Sequence, residues 1–112
     1  MENPRINQLF SLLEKAPQDV FLNYALAMEY LSVENWKEAA AYLEQVKHLD
    51  PDYLALYYHL GKVQIQLGAI EDASITFREG IKLANKLKDF KTKAELWFAL
   101  TALTGEEEDD EI

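Results

Sequence analysis

Few side chains in this 112-residue sequence have the type and spacing that chemistry demands. The two histidines, His48 and His59, stand eleven positions apart, whereas a metal pair on one helix face needs a spacing of about four. Acids are plentiful, but Glu34, Glu38 and Glu44 follow solvent-face spacing, and no general acid–base pair separates from them. No cysteine is present, which excludes a disulfide framework and cysteine-ligated zinc or iron–sulfur centres. No phosphate-binding loop, dinucleotide-binding glycine loop or nucleophile elbow occurs. Glu106 to Glu111 form six consecutive acids, but no glycine or alternation shapes them into a calcium loop, and they read as solvated charge. The expectation is a protein with no catalytic residue, metal or cofactor, and hence no enzyme.

Composition narrows the partners. Net charge is −9, with 20 acids against 11 bases, so nucleic acid and anionic membrane surfaces are repelled. Outside the acidic run the balance falls to 14 acids against 11 bases, so most of the excess belongs to residues 106–112. That segment is expected to be a disordered tail, since adjacent like charges repel and bury nothing. No apolar run approaches the length of a membrane-spanning helix, so none is expected. The start, Met1 to Arg5, lacks the pattern of a secretory leader, and a cytoplasmic location follows. Only 4 Gly and 3 Pro leave little material for turns, which favours long helices.

Internal repetition organises the chain. At one constant offset, Pro17 pairs with Pro51, Leu22 with Leu56, Tyr24 with Tyr58 and Leu26 with Leu60. At the same offset Ala39 pairs with Ala73, Leu49 with Leu83, Ala27 with Gly61, and Leu43 with Phe77. The shared period defines two units, residues 20–53 and 54–87. Within each, apolar residues recur at helical spacing, as in Leu22, Leu26 and Tyr30, then Trp36, Ala39, Leu43 and Val46. Each unit therefore reads as two antiparallel helices. Residues 4–15 form a preceding helix and 90–104 a final one, closed by Gly105. The six predicted helices are 4–15, 19–32, 35–48, 52–67, 70–87 and 90–104, with residues 1–105 as one all-α domain.

These residues resemble the tetratricopeptide repeat, a 34-residue pattern of Trp-x2-Leu-Gly-x2-Tyr, Ala-x3-Phe and a closing Pro. The first unit supplies Asn23, Leu26, Ala27, Tyr30, Ala39, Leu43 and Pro51, and the second Tyr57, Leu60, Gly61, Gln64, Ala73, Phe77 and Asn85. Asn23, Gln64 and Asn85 depart from the pattern. The resemblance implies an antiparallel helix-pair solenoid with a right-handed superhelix, and a protein-interaction role. It implies a concave groove lined by the first helix of each unit, with partner-binding positions at Phe21, Tyr24, Met28, Leu31, Tyr58, His59, Lys62 and Ile65. A clamp for carboxylate-ended peptides is not implied. Tyr24 and Met28 stand where it would need Lys and Asn, and His59 and Ala55 where it would need Asn and Lys.

The last helix adds a second candidate surface. From Ala94 it is apolar around most of its circumference, although an end helix normally shows a polar outer face. Trp97 and Leu100 are expected to be its principal buried residues, with Phe98 at least partly available. Trp97, Phe98 and Leu100 accordingly form a candidate homodimer interface. Two functions result: an adaptor that binds a peptide or partner protein in a groove, or a structural subunit that self-associates through its final helix.

Overall fold

A computed structural model describes residues 3–105. The acidic run assigned to a disordered tail lies outside the described residues. Among the described residues there are six helices and no strand. They are α1 (Pro4–Lys15), α2 (Val20–Ser32), α3 (Trp36–Leu49), α4 (Ala55–Gln66), α5 (Ile70–Leu87) and α6 (Phe90–Thr104).

Local chemistry sets most of the boundaries. Asn3, Asp19, Asn35 and Asp89 each turn a side-chain oxygen onto the free N–H groups of the helix that follows. Gly68 and Gly105 adopt φ of +79° and +76° at helix ends, the left-handed region open to glycine. Glu34, the counterpart of Gly68 in the first unit, takes φ +58° without that freedom. The boundary that differs from expectation is the start of α4, at Ala55 rather than 52. Asp50 is responsible: its carboxylate accepts the Asp52 N–H at 3.1 Å and its carbonyl accepts the Tyr53 N–H at 3.0 Å. The chain is thereby held in a turn through Asp52, and the helix begins only after it.

The chain divides into two compact units between Leu56 and Tyr57. In the first, α2 packs on α1 and α3. Leu26, Ala27, Ala39, Leu43 and Val46 are completely buried there. Tyr30 and Tyr42 stack at 5.8 Å with Phe10 edge-on to both, tying α1 to the helix pair. Asn23 is also buried. Its Nδ2 donates to the carbonyls of Asp19 (2.8 Å) and Pro17 (3.2 Å), so the departure from an aromatic residue fastens α2 to the turn before it.

In the second unit α5 carries the core. Ala73 and Phe77 are fully buried, with the Phe77 ring against Gly61 of α4. Leu96, Trp97 and Leu100 bring α6 onto α5. Gly61 faces the Phe77 ring so closely that a Cβ there would lie 2.7 Å from Cδ1, and a Cβ at Gly80 would lie 2.7 Å from the Tyr57 Cβ. Gln64, where the pattern has Tyr, accepts a hydrogen bond from the Thr76 hydroxyl at 2.7 Å, linking α4 to α5.

Two effects of opposite sign meet at these glycines. Alanine in a helix interior is favoured over glycine by about 0.5–1 kcal/mol, but overpacking a tight core costs about 1–3 kcal/mol. Phe77 is fully enclosed, and the Tyr57 Cβ is fixed to its backbone, so neither can yield. Gly61→Ala and Gly80→Ala should each lower stability, by up to about 2.5 kcal/mol, the difference of these terms. Chemical denaturation of each variant checks this, and a rise in stability would contradict it. Glu34→Gly should change stability the other way, by up to about 1 kcal/mol, because a left-handed non-glycine residue costs roughly 1–2 kcal/mol.

Candidate functional site

Packing determines which side chains remain available. In α4, Leu56, Tyr57, Leu60 and Val63 are buried, and this consumes one side of the helix. Tyr58, Lys62 and Ile65 lie on the other and form one wall of a cleft. The second wall is α6, through Ala94, Glu95, Phe98, Ala99, Ala102 and Leu103. The enclosed volume is about 490 Å³, within the range of ligand pockets. Phe98 is 79 % exposed, the highest value among the exposed large apolar residues.

The polar groups here are few. Lys62 Nζ lies 5.7 Å from the centre of the Tyr58 ring, so a cation sits over an aromatic face inside an otherwise apolar cleft. Glu95, on the opposite wall, is the acid of the lining. His59 meets Tyr58 edge-on at 5.6 Å, and burial lowers its pKa below the ordinary 6.5.

Of the eight residues assigned to a groove, Tyr58, Lys62 and Ile65 therefore share this cleft, with His59 beside it. Phe21 and Met28 belong to a separate cleft of about 330 Å³ in the first unit, walled by Leu9 and Leu12 of α1. Arg5 and Glu29 also line it and pair at 3.4 Å. Tyr24 packs on Tyr53 with ring centres 4.9 Å apart. Leu31 is half-buried at the end of α2. Of the three residues assigned to a dimer interface, Trp97 and Leu100 are buried within their own unit at 3 % and 0 % exposure, and Phe98 alone is presented.

The α6 wall escapes a reading at the repeat period, although the sequence carries a signal for it. Leu96, Trp97 and Leu100 repeat the spacing of Leu56, Tyr57 and Leu60 at a longer offset, and all six are buried. In that register Glu95, Phe98, Ala99 and Ala102 are the counterparts of Ala55, Tyr58, His59 and Lys62. The buried spacing of α6 thus matches that of α4 at an offset longer than the period that relates the other two units. The extension of α5 to Leu87, where its counterpart α3 ends at Leu49, contributes to the longer offset.

Among the described residues no three His, Asp or Glu side chains cluster as metal ligands, and no helix is long and apolar enough to cross a membrane. The arrangement is that of a helix-pair repeat protein with an open apolar cleft. A family model described as tetratricopeptide repeat matches residues 30–96, and the chain belongs to that family. It is 39 % identical to a tetratricopeptide repeat domain protein from Salinibacter ruber, whose solution structure matches with a TM-score of 0.73. That alignment covers 83 % of this chain and 94 % of the other. The TPR2B domain of yeast Sti1, solved as a pHsp70 complex, matches with a TM-score of 0.81 at 15 % identity, covering 91 % and 82 %. YrrB, a TPR protein with an unusual peptide-binding site, matches at 0.59 and 17 % identity, covering 87 % of this chain and 57 % of its own. The last two likenesses concern the fold alone. No curated protein matches the chain.

The lowered His59 pKa has a consequence for stability. The unfolded chain takes up a proton near 6.5 and the folded chain only at lower pH. The neutral imidazole therefore contributes stability above pH 6.5 that is lost as pH falls through the folded value. Comparing wild type with His59→Gln between about pH 7.5 and about pH 5 should show the wild type losing more stability. Parallel pH profiles would contradict the assignment.

Proposed function

We propose that the chain is a protein-interaction module whose α4–α6 cleft receives an apolar side chain from a peptide or partner protein. The observation that carries this reading is Phe98, 79 % exposed, opposite Tyr58 and Ile65 across a cleft of about 490 Å³. An aromatic residue left in water at a concave site gives up burial worth about 1.5–3 kcal/mol, which a partner recovers on binding. Tyr58 and Phe98 offer large contact areas with few rotatable bonds, and Lys62 supplies a cation for a carboxylate or carbonyl of the partner. Family membership supports an interaction role, and two fold neighbours are described as a complex and as peptide-binding.

The same exposure of Phe98 supports a second reading, self-association through α6. Phe98 would form the contact with the flanking Ala94 and Ala102, and not with Trp97 or Leu100, which are buried. The net negative charge of each copy would oppose such a contact, so it should strengthen as salt screens that charge.

Selection from a displayed random peptide pool tests the first reading. Peptides retained by the wild type should lose about tenfold or more in affinity against Phe98→Ala, since a central aromatic contact contributes on the order of 2 kcal/mol. Lys62→Ala should weaken binding less and reduce its salt dependence. Ile75→Ala, an exposed position on α5 away from the cleft lining, should leave binding unchanged. Equal binding to wild type and Phe98→Ala would contradict the proposal.

A further inference from the structure

The α4–α6 cleft carries two opposite charges that do not answer each other. Lys62 stands on the α4 wall and Glu95 on the α6 wall, and both are exposed. Among the described residues neither takes part in an ion pair, with the other or with a third residue. Short turns at 67–69 and 88–89 join α5 to its neighbours, so α4 and α6 run in the same direction. Their buried residues match in register, which sets Phe98 level with Tyr58. Glu95 precedes Phe98 by three residues, and Lys62 follows Tyr58 by four. The two charges therefore lie on either side of the two aromatic side chains. Their backbone positions are about 10 Å apart along the cleft, at a rise of ~1.5 Å per residue.

The lining also limits the backbone of a guest. An extended segment carries N–H and C=O groups along its whole length that must find partners. Among the described residues the lining holds no Asn, Gln, Ser or Thr side chain. Its polar side-chain atoms are those of Lys62, Glu95 and the Tyr58 hydroxyl. Most backbone groups of the two walls are bonded within their own helices. An extended guest would thus bury main-chain groups against Phe98, Ala99 and Ile65 without partners, which is costly. A helix satisfies its own backbone and needs only side chains at the contact.

We propose that the guest of this cleft is an amphipathic helix whose contact face bears an acid for Lys62 and a base for Glu95, two turns apart, with apolar residues between them. The proposal rests on the α4–α6 cleft being the binding site, and it names the partner that site selects. Two helical turns advance about 11 Å, which matches the spacing of Lys62 and Glu95. Residues three and four along the same face of the guest then meet Tyr58 and Phe98. Charge complementarity selects this guest over the chain's own acidic run. Glu106 to Glu111 contain no base, so the run could answer Lys62 but would set like charge beside Glu95.

Binding of synthetic helical peptides of about 15 residues to the full chain at low salt tests the proposal. The reference peptide has Glu and Lys seven positions apart, with leucines three and four positions after the Glu. Three others carry Gln and Gln, Glu and Glu, or Lys and Lys at the two charged positions, and a fifth has proline at its centre. The reference peptide should bind most tightly, the Gln peptide about threefold more weakly, and the two like-charged peptides about tenfold more weakly. Lys62→Glu should shift the preference to the Lys–Lys peptide, and Glu95→Lys to the Glu–Glu peptide. The proline peptide should lose binding. Equal affinity for the charged and Gln peptides, still abolished by Phe98→Ala, would overturn the proposal and leave the cleft as a binding site. Undiminished binding of the proline peptide would also overturn it, in favour of an extended guest. No binding of any peptide would overturn both the proposal and the reading on which it rests. So would a dimer, seen by sedimentation, that Phe98→Ala abolishes, because a second copy would then occupy the cleft.

Discussion

The close approach of paired helices is the constraint on which the rest of the structure depends. A helix of 12 to 18 residues with one apolar stripe cannot bury that stripe alone. It must lie against a neighbour at a distance that the contact residues set. In the first unit Ala27 and Ala39 meet this requirement, and in the second Gly61, Ala73 and Gly80 do so. Gly61 gives the most direct evidence, because the Phe77 ring occupies the space where a side chain would begin. Residue size at a few positions thus fixes the spacing of the helices, and the large residues fill the volume that remains.

The cleft follows from that packing. With Leu56, Tyr57, Leu60 and Val63 buried, α4 has a single outward face, and Tyr58, Lys62 and Ile65 occupy it. Burial of Leu96, Trp97 and Leu100 orients α6 in the same way and leaves Phe98 outward. Nothing in the scaffold requires Phe98 to be aromatic. Its side chain is 79 % exposed and adds little to the core, whereas Leu96 is fully buried. The Trp97 indole Nε1 shows the reverse situation, being buried without a hydrogen-bond partner. A donor of this kind costs about 1–3 kcal/mol, so the ring contributes through its apolar area.

Much of this is legible in the sequence, because helical periodicity and a constant repeat offset are direct imprints of close packing. Pairs such as Ala39 with Ala73 and Leu26 with Leu60 identify core positions, and all four are buried. Three features are not legible, each for a physical reason. The start of α4 moves because the Asp50 side chain competes for the N–H groups that would begin a helix. Asn23 and Gln64 read as losses of aromatic packing, whereas their value lies in hydrogen bonds to Asp19, Pro17 and Thr76 that appear only after folding. Trp97 and Leu100 are legible as buried and Phe98 as available, but the pairing of α6 with α4 across one cleft is not, because the register of α6 follows α4 at a longer offset than the repeat period.

A double-mutant cycle at Gly61 and Phe77 tests most directly whether close approach governs the fold. Stability would be measured by denaturation for wild type, Gly61→Ala, Phe77→Leu and the combined variant. Leucine removes the ring edge that faces Gly61, so in the combined variant the added methyl group should cost much less than in wild type. Contacting residues give coupling energies of about 0.5–3 kcal/mol, and a favourable coupling of roughly 1 kcal/mol is expected here. Additive losses would mean that helix spacing at this position is not set by glycine against the Phe77 ring, and would contradict the account.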